Sequence, residues 1–574
     1  MQEQAAIIVN GRVRQSAGGE SAAPQAEAVA VRDGRIAGLG SEAEMQALAG
    51  PAARRIDAQG AVVMPGLIDA HPHLLHFAAR EYGMVHLFDA RNHDDIVERI
   101  RAHAARTPKG QWIVCTPVGE PHYFIRRSWR DLPERRLPDR HVLDRATTDH
   151  PVHIQAWAPT TPNVCAFNSA GLAAVGLSSF IAERVCDVWI EKDDDGDITG
   201  ILRGAVNNYY TFDPFWTQLL LKMPGPASWE LHDSVIQAMA GYNAQGVTTV
   251  YEGHNMRDSH IDAYRRLHGE GKLSVRVMAA MEAESYAYPP VRPLTLEAFM
   301  STLQAGLRLM GQDDEMLKVT GMSYSPAAPM GPGTIRMHEP YLDGFGRPTR
   351  GVTVLTNDKL EAFVEFCAAN GLRGNFCVAG DRDTDDVLAA LTVADGRHGI
   401  RERRWMMQHC LVVTPAQVER IRDLGCDVTS CPGFAWGKGD VYAERAGEMV
   451  LRDMVPLKRI LKAGIPLGCG SDWGPKNPWE NIALSTTFEF AGSGRRNDSA
   501  DHALTRAESL HSWTAGAADV LGWQGTGSLA AGSHADLILV DRDPLDCRVE
   551  DLPGTRVHLT MLGGKIVHDE GVAG

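Results

Sequence analysis

Eight short apolar runs, each followed by a longer and more polar stretch, most constrain what this chain can fold into. Several of the intervening stretches have helical patterning, for example residues 357–371 and residues 414–425, which end at a glycine stop signal. Strands that alternate with helices predict a parallel sheet, and eight such units predict an α/β protein with a (β/α)8 barrel. The predicted strands are 62–70, 246–251, 274–280, 316–320, 372–378, 404–409, 426–430 and 465–470.

Both ends of the chain carry short alternating strands joined by turn sequences such as Asn-Gly and Asp-Gly, which predict hairpins. We therefore expect residues 1–60 and 525–574 to form one small composite β-domain. The barrel is expected to occupy residues 61–524. The gap after its first strand is too long for a loop, so an inserted subdomain is expected at about residues 75–240.

Charge and composition narrow the classes of partner. A net charge of −15 argues against nucleic acid, because phosphate binding requires a positive surface. The chain has no long uncharged apolar run, so no membrane span is expected. It also starts without the basic and apolar regions of a signal peptide, and its ten cysteines are scattered. These features predict a cytoplasmic protein with reduced thiols that acts on a small molecule, with a homo-oligomer left open.

Metal-competent side chains stand at the predicted carboxyl ends of five strands, where the chemistry of such barrels gathers. Residues two apart on a strand point to the same side, so a His-x-His pair aims both imidazoles at one point. Imidazole, thiolate and carboxylate are ligands of zinc and related ions. The combination predicts a divalent metal, zinc above all, as one ion or two. The candidate ligands are His71, His73, Lys318, Cys377, His409 and Asp472.

Each of these residues alone also has an ordinary structural interpretation. Lys318 would be a solvated or salt-bridged lysine, Cys377 a packed core thiol, and Asp472 the cap of the following helix. Glu252 and His254 end the second predicted strand and either line the pocket or make structural hydrogen bonds. Three aromatic residues in the loops after strands seven and eight either shape a substrate pocket or pack in the core, namely Phe434, Trp436 and Trp473.

The segments "VMPGLIDAHPH" and "GSLAAGSHADLILVDRDP", together with the barrel order, resemble the amidohydrolase superfamily of metal-dependent hydrolases. The segments "RWMMQHCLVVTPAQVERIRDLG" and "AGIPLGCGSDWGPKNPWENI" resemble the branch that contains the N-substituted formamide deformylases. The resemblance implies a (β/α)8 barrel, a composite β-domain and a long insertion after the first strand.

The resemblance also assigns roles. It implies that His71 and His73 hold the first metal, with Asp472 as ligand and proton acceptor. Lys318 matches the lysine that is carbamylated and bridges two metals in binuclear members, and His409 matches the histidine of strand six. The sequence departs from the pattern at Cys377, where the branch usually has histidine. A further departure is Gln408, where glutamate is frequent.

We therefore expect a metal-dependent hydrolase of a carbon–nitrogen bond, as in an amide, formamide or lactam, with Asp472 and His409 as the catalytic residues. A lactone hydrolase or a non-oxidative decarboxylase on the same site stays open, as does a metal-binding protein that has lost catalysis. We predict a binuclear centre with a carbamylated Lys318 and with Cys377 on the second ion. The alternative is one ion, an unmodified lysine and an inert thiol.

Overall fold

The computed structural model describes residues 5–16, 26–119, 126–156, 160–225, 231–287, 293–326, 329–497 and 499–573. At its centre lies a sheet of eight parallel strands whose spatial order follows the chain. The predicted (β/α)8 barrel is confirmed. The backbone N–H of Ala70 donates to the carbonyl of Cys469 at 3.0 Å and joins the first strand to the eighth. The barrel strands are Leu67–Asp69, Val247–Glu252, Arg276–Glu282, Leu317–Tyr324, Gly374–Val378, Met406–His409, Asp427–Ser430 and Leu467–Cys469.

These strands are almost continuously buried because helices cover the outside of the sheet, so both faces are removed from water. Their register aligns the carboxyl ends. Val378 lies opposite His409, and Ser430 lies opposite Cys469. Side chains that follow these ends therefore meet at one rim of the barrel.

The first predicted strand, 62–70, is in fact two strands that belong to different sheets. Val62–Pro65 pairs with Leu537–Val540 near the other end of the chain, whereas Leu67–Asp69 opens the barrel. The break falls at Gly66, where a Cβ atom would lie 2.4 Å from the Thr248 side chain. Only glycine allows the chain to pass so close to the second barrel strand.

Two smaller sheets are formed near the ends of the chain, the first from N-terminal strands alone and the second from strands of both ends. Buried residues of both sheets, such as Ile8, Val63 and Leu537, form one apolar cluster. Arg14 and Asp543 reinforce this union through a buried ion pair of 2.5 Å. The domain boundaries themselves stay a prediction. The first sheet has the order Arg35–Gly40, Ala28–Arg32, Ala6–Val9 and Arg54–Asp57, and the second Arg12–Val13, Val62–Pro65, Leu537–Val540, Val557–Leu562 and Lys565–Asp569.

A separate six-stranded sheet lies between the first and second barrel strands in sequence. The helices Leu74–Tyr82 and His232–Asn243 flank this segment and pack against each other in the barrel core. The inserted sheet therefore begins after the first of these helices and ends before the second. Its strands are, in spatial order, Arg184–Val185, Val188–Lys192, Ile198–Gly204, Asn163–Phe167, Val152–Ile154 and Ile113–Cys115. A two-stranded sheet of Tyr341–Leu342 and Pro348–Thr349 follows the fourth barrel strand.

The remaining helices cover the barrel and the smaller sheets. None of the helices in the described ranges is long and apolar enough to cross a membrane. The α-helices besides the two above are Glu42–Ala49, His93–Ala104, Arg140–Asp144, Ser169–Val175, Pro214–Leu220, Asp258–Gly269, Leu296–Leu307, Asn357–Ala369, Asp381–His398, Pro415–Asp423, Gly433–Ala446, Glu448–Leu451, Leu457–Lys462, Pro478–Thr487, Arg506–Ser512 and Ala515–Leu521, and short 3-10 helices lie at Trp129–Asp131, Arg401–Arg403 and Val549–Gly554.

Candidate metal centre

The carboxylate of Asp472 lies among three imidazoles at the carboxyl rim of the barrel. Its Oδ2 lies 3.6 Å from Nε2 of His71 and 3.5 Å from Nδ1 of His409. Its Oδ1 lies 3.6 Å from Nε2 of His73. The first, sixth and eighth barrel strands therefore bring four of the predicted ligands together, and all four side chains are buried.

The spacing of these atoms fits ligands around an ion better than it fits hydrogen bonds. A charge-assisted N–H···O bond is about 2.7–2.9 Å long, clearly shorter than the separations of 3.5–3.6 Å at Asp472. Ligands at about 2.0–2.1 Å from a tetrahedral zinc are about 3.3–3.4 Å apart. In the group of His71, His409 and Asp472, the separations of the two imidazole nitrogens from Oδ2 are therefore close to those in a zinc coordination shell.

Unsatisfied nitrogens support the same fit. Among the residues that the structure describes, neither ring nitrogen of His73 has a hydrogen-bond partner, and neither does Nδ1 of His409. A buried polar atom without a partner costs about 1–3 kcal/mol, so buried nitrogens of this kind call for an explanation. A metal ion would satisfy one nitrogen of each ring. The residues present therefore fit a divalent metal.

The backbone at the site is strained. His73, His409 and Asp472 have φ angles of +52°, +69° and +49°. Each such conformation costs a residue with a side chain about 1–3 kcal/mol, and such outliers cluster at functional sites. The strain turns each side chain inward just as its strand ends.

Asp69 fixes the two strands that carry most of the cluster. Its Oδ1 accepts the backbone N–H groups of His71 at 3.1 Å and Ser471 at 3.0 Å, and its Oδ2 accepts the Ser471 hydroxyl at 2.6 Å. The same strands approach closely at Gly470, where a Cβ atom would lie 2.5 Å from the backbone nitrogen of His71. The position of His71 relative to Asp472 is therefore set by the closure of the barrel.

Burial controls protonation in the cluster. It lowers the pKa of His71 to about 3, and the pKa values of His73 and His409 also fall well below their usual value. Burial raises the pKa of Asp472 to about 6, although the charge of Lys438 opposes the shift. At neutral pH the imidazoles are uncharged and Asp472 is mainly ionised. These are the protonation states that bind a metal.

A second group of buried ligand atoms lies beside the first. His73, His76 and Glu252 each offer one ligand atom within 4.8 Å of the others. Glu252 ends the second barrel strand and accepts the backbone N–H of Leu75 at 3.0 Å and the Tyr264 hydroxyl at 2.6 Å. Burial raises the pKa of Glu252 to about 7.

His254, from the loop after the second strand, lies beside both groups and is held by three partners. Its Nε2 pairs with the Tyr210 hydroxyl at 2.9 Å, and its Nδ1 lies 3.1 Å from Oε1 of Glu282 and 2.8 Å from Oγ of Ser325. Its ring lies 5.5 Å from that of His73. His254 therefore forms one wall of the site. This agrees with the interpretation of His254 as a pocket-lining residue, although it also makes the hydrogen bonds of the structural interpretation.

The prediction that Lys318 lies at the carboxyl end of the fourth strand is wrong. The strand runs from Leu317 to Tyr324 instead of ending near residue 320, so Lys318 is its second residue. At about 3.3 Å per residue, the six residues from Lys318 to Tyr324 put it about 20 Å from the rim. Its ammonium group pairs with Asp313 and lies 5.3 Å from the Trp523 ring. Lys318 is therefore not placed to bridge metals at this site.

Cys377 lies inside the fifth strand, fully buried, with its Sγ 3.5 Å from Oε1 of Gln408. It also neighbours His254, and with Glu282 it holds the pKa of that histidine well above the usual value although burial acts in the opposite direction. Neither three-residue metal group among the described residues includes Cys377. The thiol instead belongs to the layer of side chains beneath the rim.

Aromatic and basic side chains complete the rim. Trp473 stacks on His73 with ring centroids 4.9 Å apart, and its indole N–H donates to the Tyr209 hydroxyl at 2.8 Å. Phe434 lies 5.2 Å from the His409 ring, and the Lys438 ammonium lies 3.6 Å above the Phe434 ring. Phe434 and Trp473 thus adjoin the metal cluster, in keeping with a pocket-lining role.

The guanidinium of Arg126 lies 4.5 Å above the Trp436 ring.

Sequence reasoning missed two residues of the site. His76 was visible three residues after the His-x-His pair, but the strand pattern did not show that a helix begins at Leu74 and returns it to the cluster. Lys438 gave no sequence signal beyond its position after the seventh strand. Burial lowers the pKa of Lys438 to about 8 against the opposing charge of Asp472, which places the ammonium within electrostatic reach of the site.

A (β/α)8 barrel with imidazoles and a carboxylate that converge at its carboxyl rim is typical of metal-dependent enzymes. The model of the amidohydrolase family matches residues 54–568. The chain belongs to the amidohydrolase family.

Similarity to individual proteins extends over nearly the whole chain. The chain is 27% identical to the N-substituted formamide deformylase of Arthrobacter pascens, with 98% of each chain covered. It superposes on an uncharacterized metal-dependent hydrolase from Pyrococcus horikoshii with a TM-score of 0.69 and 21% identity, over 95% of this chain and 99% of that one. It also superposes on an adenosine deaminase from Xanthomonas campestris with bound zinc, with a TM-score of 0.52, 15% identity and coverage of 98% and 93%. At these identities the two structural matches show a shared fold.

Proposed function

We propose that this protein is a metal-dependent hydrolase that cleaves the carbon–nitrogen bond of an amide, a formamide or a related group. The observation that carries the proposal is the cluster around Asp472, whose oxygens lie 3.5–3.6 Å from three neutral imidazoles. Family membership and the similarity to an N-substituted formamide deformylase support hydrolysis at carbon–nitrogen bonds.

The metal would be held by His71, His73, His409 and Asp472, and zinc suits these nitrogen and oxygen donors. When bound, it supplies Lewis acidity, which makes water a stronger acid and polarises a carbonyl group. Trp473 stacks on His73 and keeps its ring in place for the ion.

Asp472 is the residue that moves the proton. One of its oxygens, Oδ1, accepts the backbone N–H of Trp473, which holds the carboxylate in a fixed direction. Oδ2 faces His71 and His409, and we assign to it the proton of the attacking water. The same carboxyl group then returns the proton to the leaving nitrogen, as a general base that becomes a general acid. His409 would help to hold the ion and to stabilise the developing oxyanion.

The test combines metal analysis with product analysis. The purified protein should contain divalent metal, and it should release amine from members of a panel of formamides, N-acyl amines and lactams. Asp472→Asn should have the same unfolding midpoint as wild type when both are metal-free, and it should lose activity by about 10²–10⁴-fold, because the amide cannot accept the proton.

A variant at the other end of the barrel, Lys318→Met, provides a matched control for metal content and turnover. Protein with no metal would contradict the proposal. Ring opening of lactones without amine release, or release of CO2, would instead assign the site to lactone hydrolysis or decarboxylation. A full metal load without turnover would indicate lost catalysis.

A further inference from the structure

We propose that His73, His76 and Glu252 bind a second divalent cation, at the ends of the first and second barrel strands. This site uses none of the residues predicted for a second ion, since Lys318 lies at the opposite rim and Cys377 lies outside the group. Two imidazoles and one glutamate are also the three protein ligands of several zinc hydrolases.

The three ligands come from two elements that the fold brings to one point. His73 precedes the helix Leu74–Tyr82, His76 lies in its first turn, and Glu252 is the last residue of the second strand. One ligand atom from each lies within 4.8 Å of the others, and all three side chains are 0–2% exposed. A group of this size that excludes water can enclose an ion without large rearrangement.

Charge balance supports a cation at this place. Among the described residues, the hydrogen bonds to the Glu252 carboxylate come from two uncharged donors, the backbone N–H of Leu75 and the Tyr264 hydroxyl. An unpaired carboxylate is costly to bury, and buried charges in proteins are paired or coordinate metals. A divalent ion between Glu252 and the two imidazoles would supply the missing positive charge.

The known contacts of Glu252 leave room for this role. Its hydrogen bonds from Leu75 and Tyr264 both go to Oε1. A carboxylate has about four lone-pair sites, so these two donors do not exhaust it. Hydrogen bonds of this kind typically orient a ligand carboxylate. Helix capping through Leu75 and metal binding are therefore compatible.

The two ions would share one wall. Nε2 of His73 lies 3.6 Å from Oδ1 of Asp472, whereas Oδ2 of Asp472 faces His71 and His409. His73 therefore stands between the two groups. To bind both ions it would release its ring N–H proton to solvent and act as an imidazolate, with one nitrogen for each ion. The second ion would lie on the side of His76, whose ring centroid is 5.4 Å from that of His73.

The test is a count of metal ions in the full-length protein. Protein stripped by a chelator is reloaded with zinc, desalted and analysed for metal per chain, and a parallel titration with cobalt follows the visible absorption of the ion. Wild type should bind two ions, and Glu252→Gln and His76→Gln should each bind one. Glu252→Gln keeps a carbonyl oxygen for Leu75 and Tyr264, so the start of the helix is preserved and the unfolding midpoint confirms that the variant is folded.

The matched control is His260→Gln, because the ring of His260 is buried 5.2 Å from that of His76 but lies outside the group. The His260→Gln variant should bind two ions, as wild type does. Wild-type protein that saturates at one ion per chain would overturn the second site and leave the hydrolase proposal intact. Folded variants that still bind two ions would overturn it as well. Protein that binds no ion would overturn both proposals.

Discussion

Replacing Asp69 by alanine should weaken the fold and the metal site together. The side chain is 1% exposed and accepts three hydrogen bonds, two from the backbone N–H groups of His71 and Ser471 and one from the Ser471 hydroxyl. The hydroxyl can rotate to another partner, but the two backbone donors cannot. At about 1–3 kcal/mol for each buried donor left without an acceptor, the free energy of unfolding should fall by about 2–6 kcal/mol.

The same change should loosen the metal. His71 follows Asp69 by two residues, and Ser471 precedes Asp472, so the lost hydrogen bonds hold two metal ligands in position. Partners of this kind typically contribute 10–100-fold to metal affinity. A competition titration with a chromophoric chelator measures that affinity, and urea unfolding of the metal-free protein measures stability.

Two variants sharpen the result. Asp69→Asn keeps one oxygen for the two backbone donors and should lose less stability than Asp69→Ala. Asp383→Ala removes another fully buried carboxylate, which pairs with Arg336 at 3.1 Å and belongs to neither ligand group, and should lower stability without changing metal affinity. Wild-type metal affinity in Asp69→Ala would refute the reasoning, because it would show that barrel closure does not position the ligands.

Two further predictions concern residues away from the cluster. Lys318→Met and Cys377→Ser should each keep the wild-type metal content in elemental analysis. Lys318 pairs with Asp313 at the other rim, and Cys377 lies in neither ligand group. Loss of metal in either variant would show that the replaced residue contributes to the metal site. His502 is fully buried, and burial lowers its pKa to about 4. The free energy of unfolding that depends on this histidine is therefore complete above pH 6.5. It falls by about 3 kcal/mol in total as the pH drops from 6.5 to 4. His502→Gln should flatten this part of the pH profile in thermal unfolding, and an unchanged profile would contradict the assignment.

The periodic apolar runs were enough to predict all eight barrel strands, because a buried parallel strand needs an almost continuous apolar sequence. The limits of the strands were harder to predict. The fourth strand continues through the polar residues Ser323 and Tyr324, which are buried although the pattern suggested an end near residue 320. That difference of four residues moved Lys318 from the expected rim to the opposite one.

Within the site, the sequence located the residues that directly follow strands, which include His71, His409 and Asp472. It could not locate partners that depend on how helices return to the barrel. His76 reaches the cluster because a helix begins immediately after His73, and Glu252 joins it across 176 residues of chain. Such distances are set by packing, which a pattern along one chain does not encode.

The closure of the barrel through Asp69 and Ser471 also has a consequence for biosynthesis. These residues are 402 positions apart, and ribosomes add about 5–20 residues per second, so the first strand waits about 20–80 seconds for its partner. During that time His71 and His73 are already outside the ribosome, but Asp472 does not yet exist. A nascent chain can therefore hold no complete site around Asp472 until more than four fifths of the protein has been made, and the ion of that site must be acquired near the end of synthesis or after release.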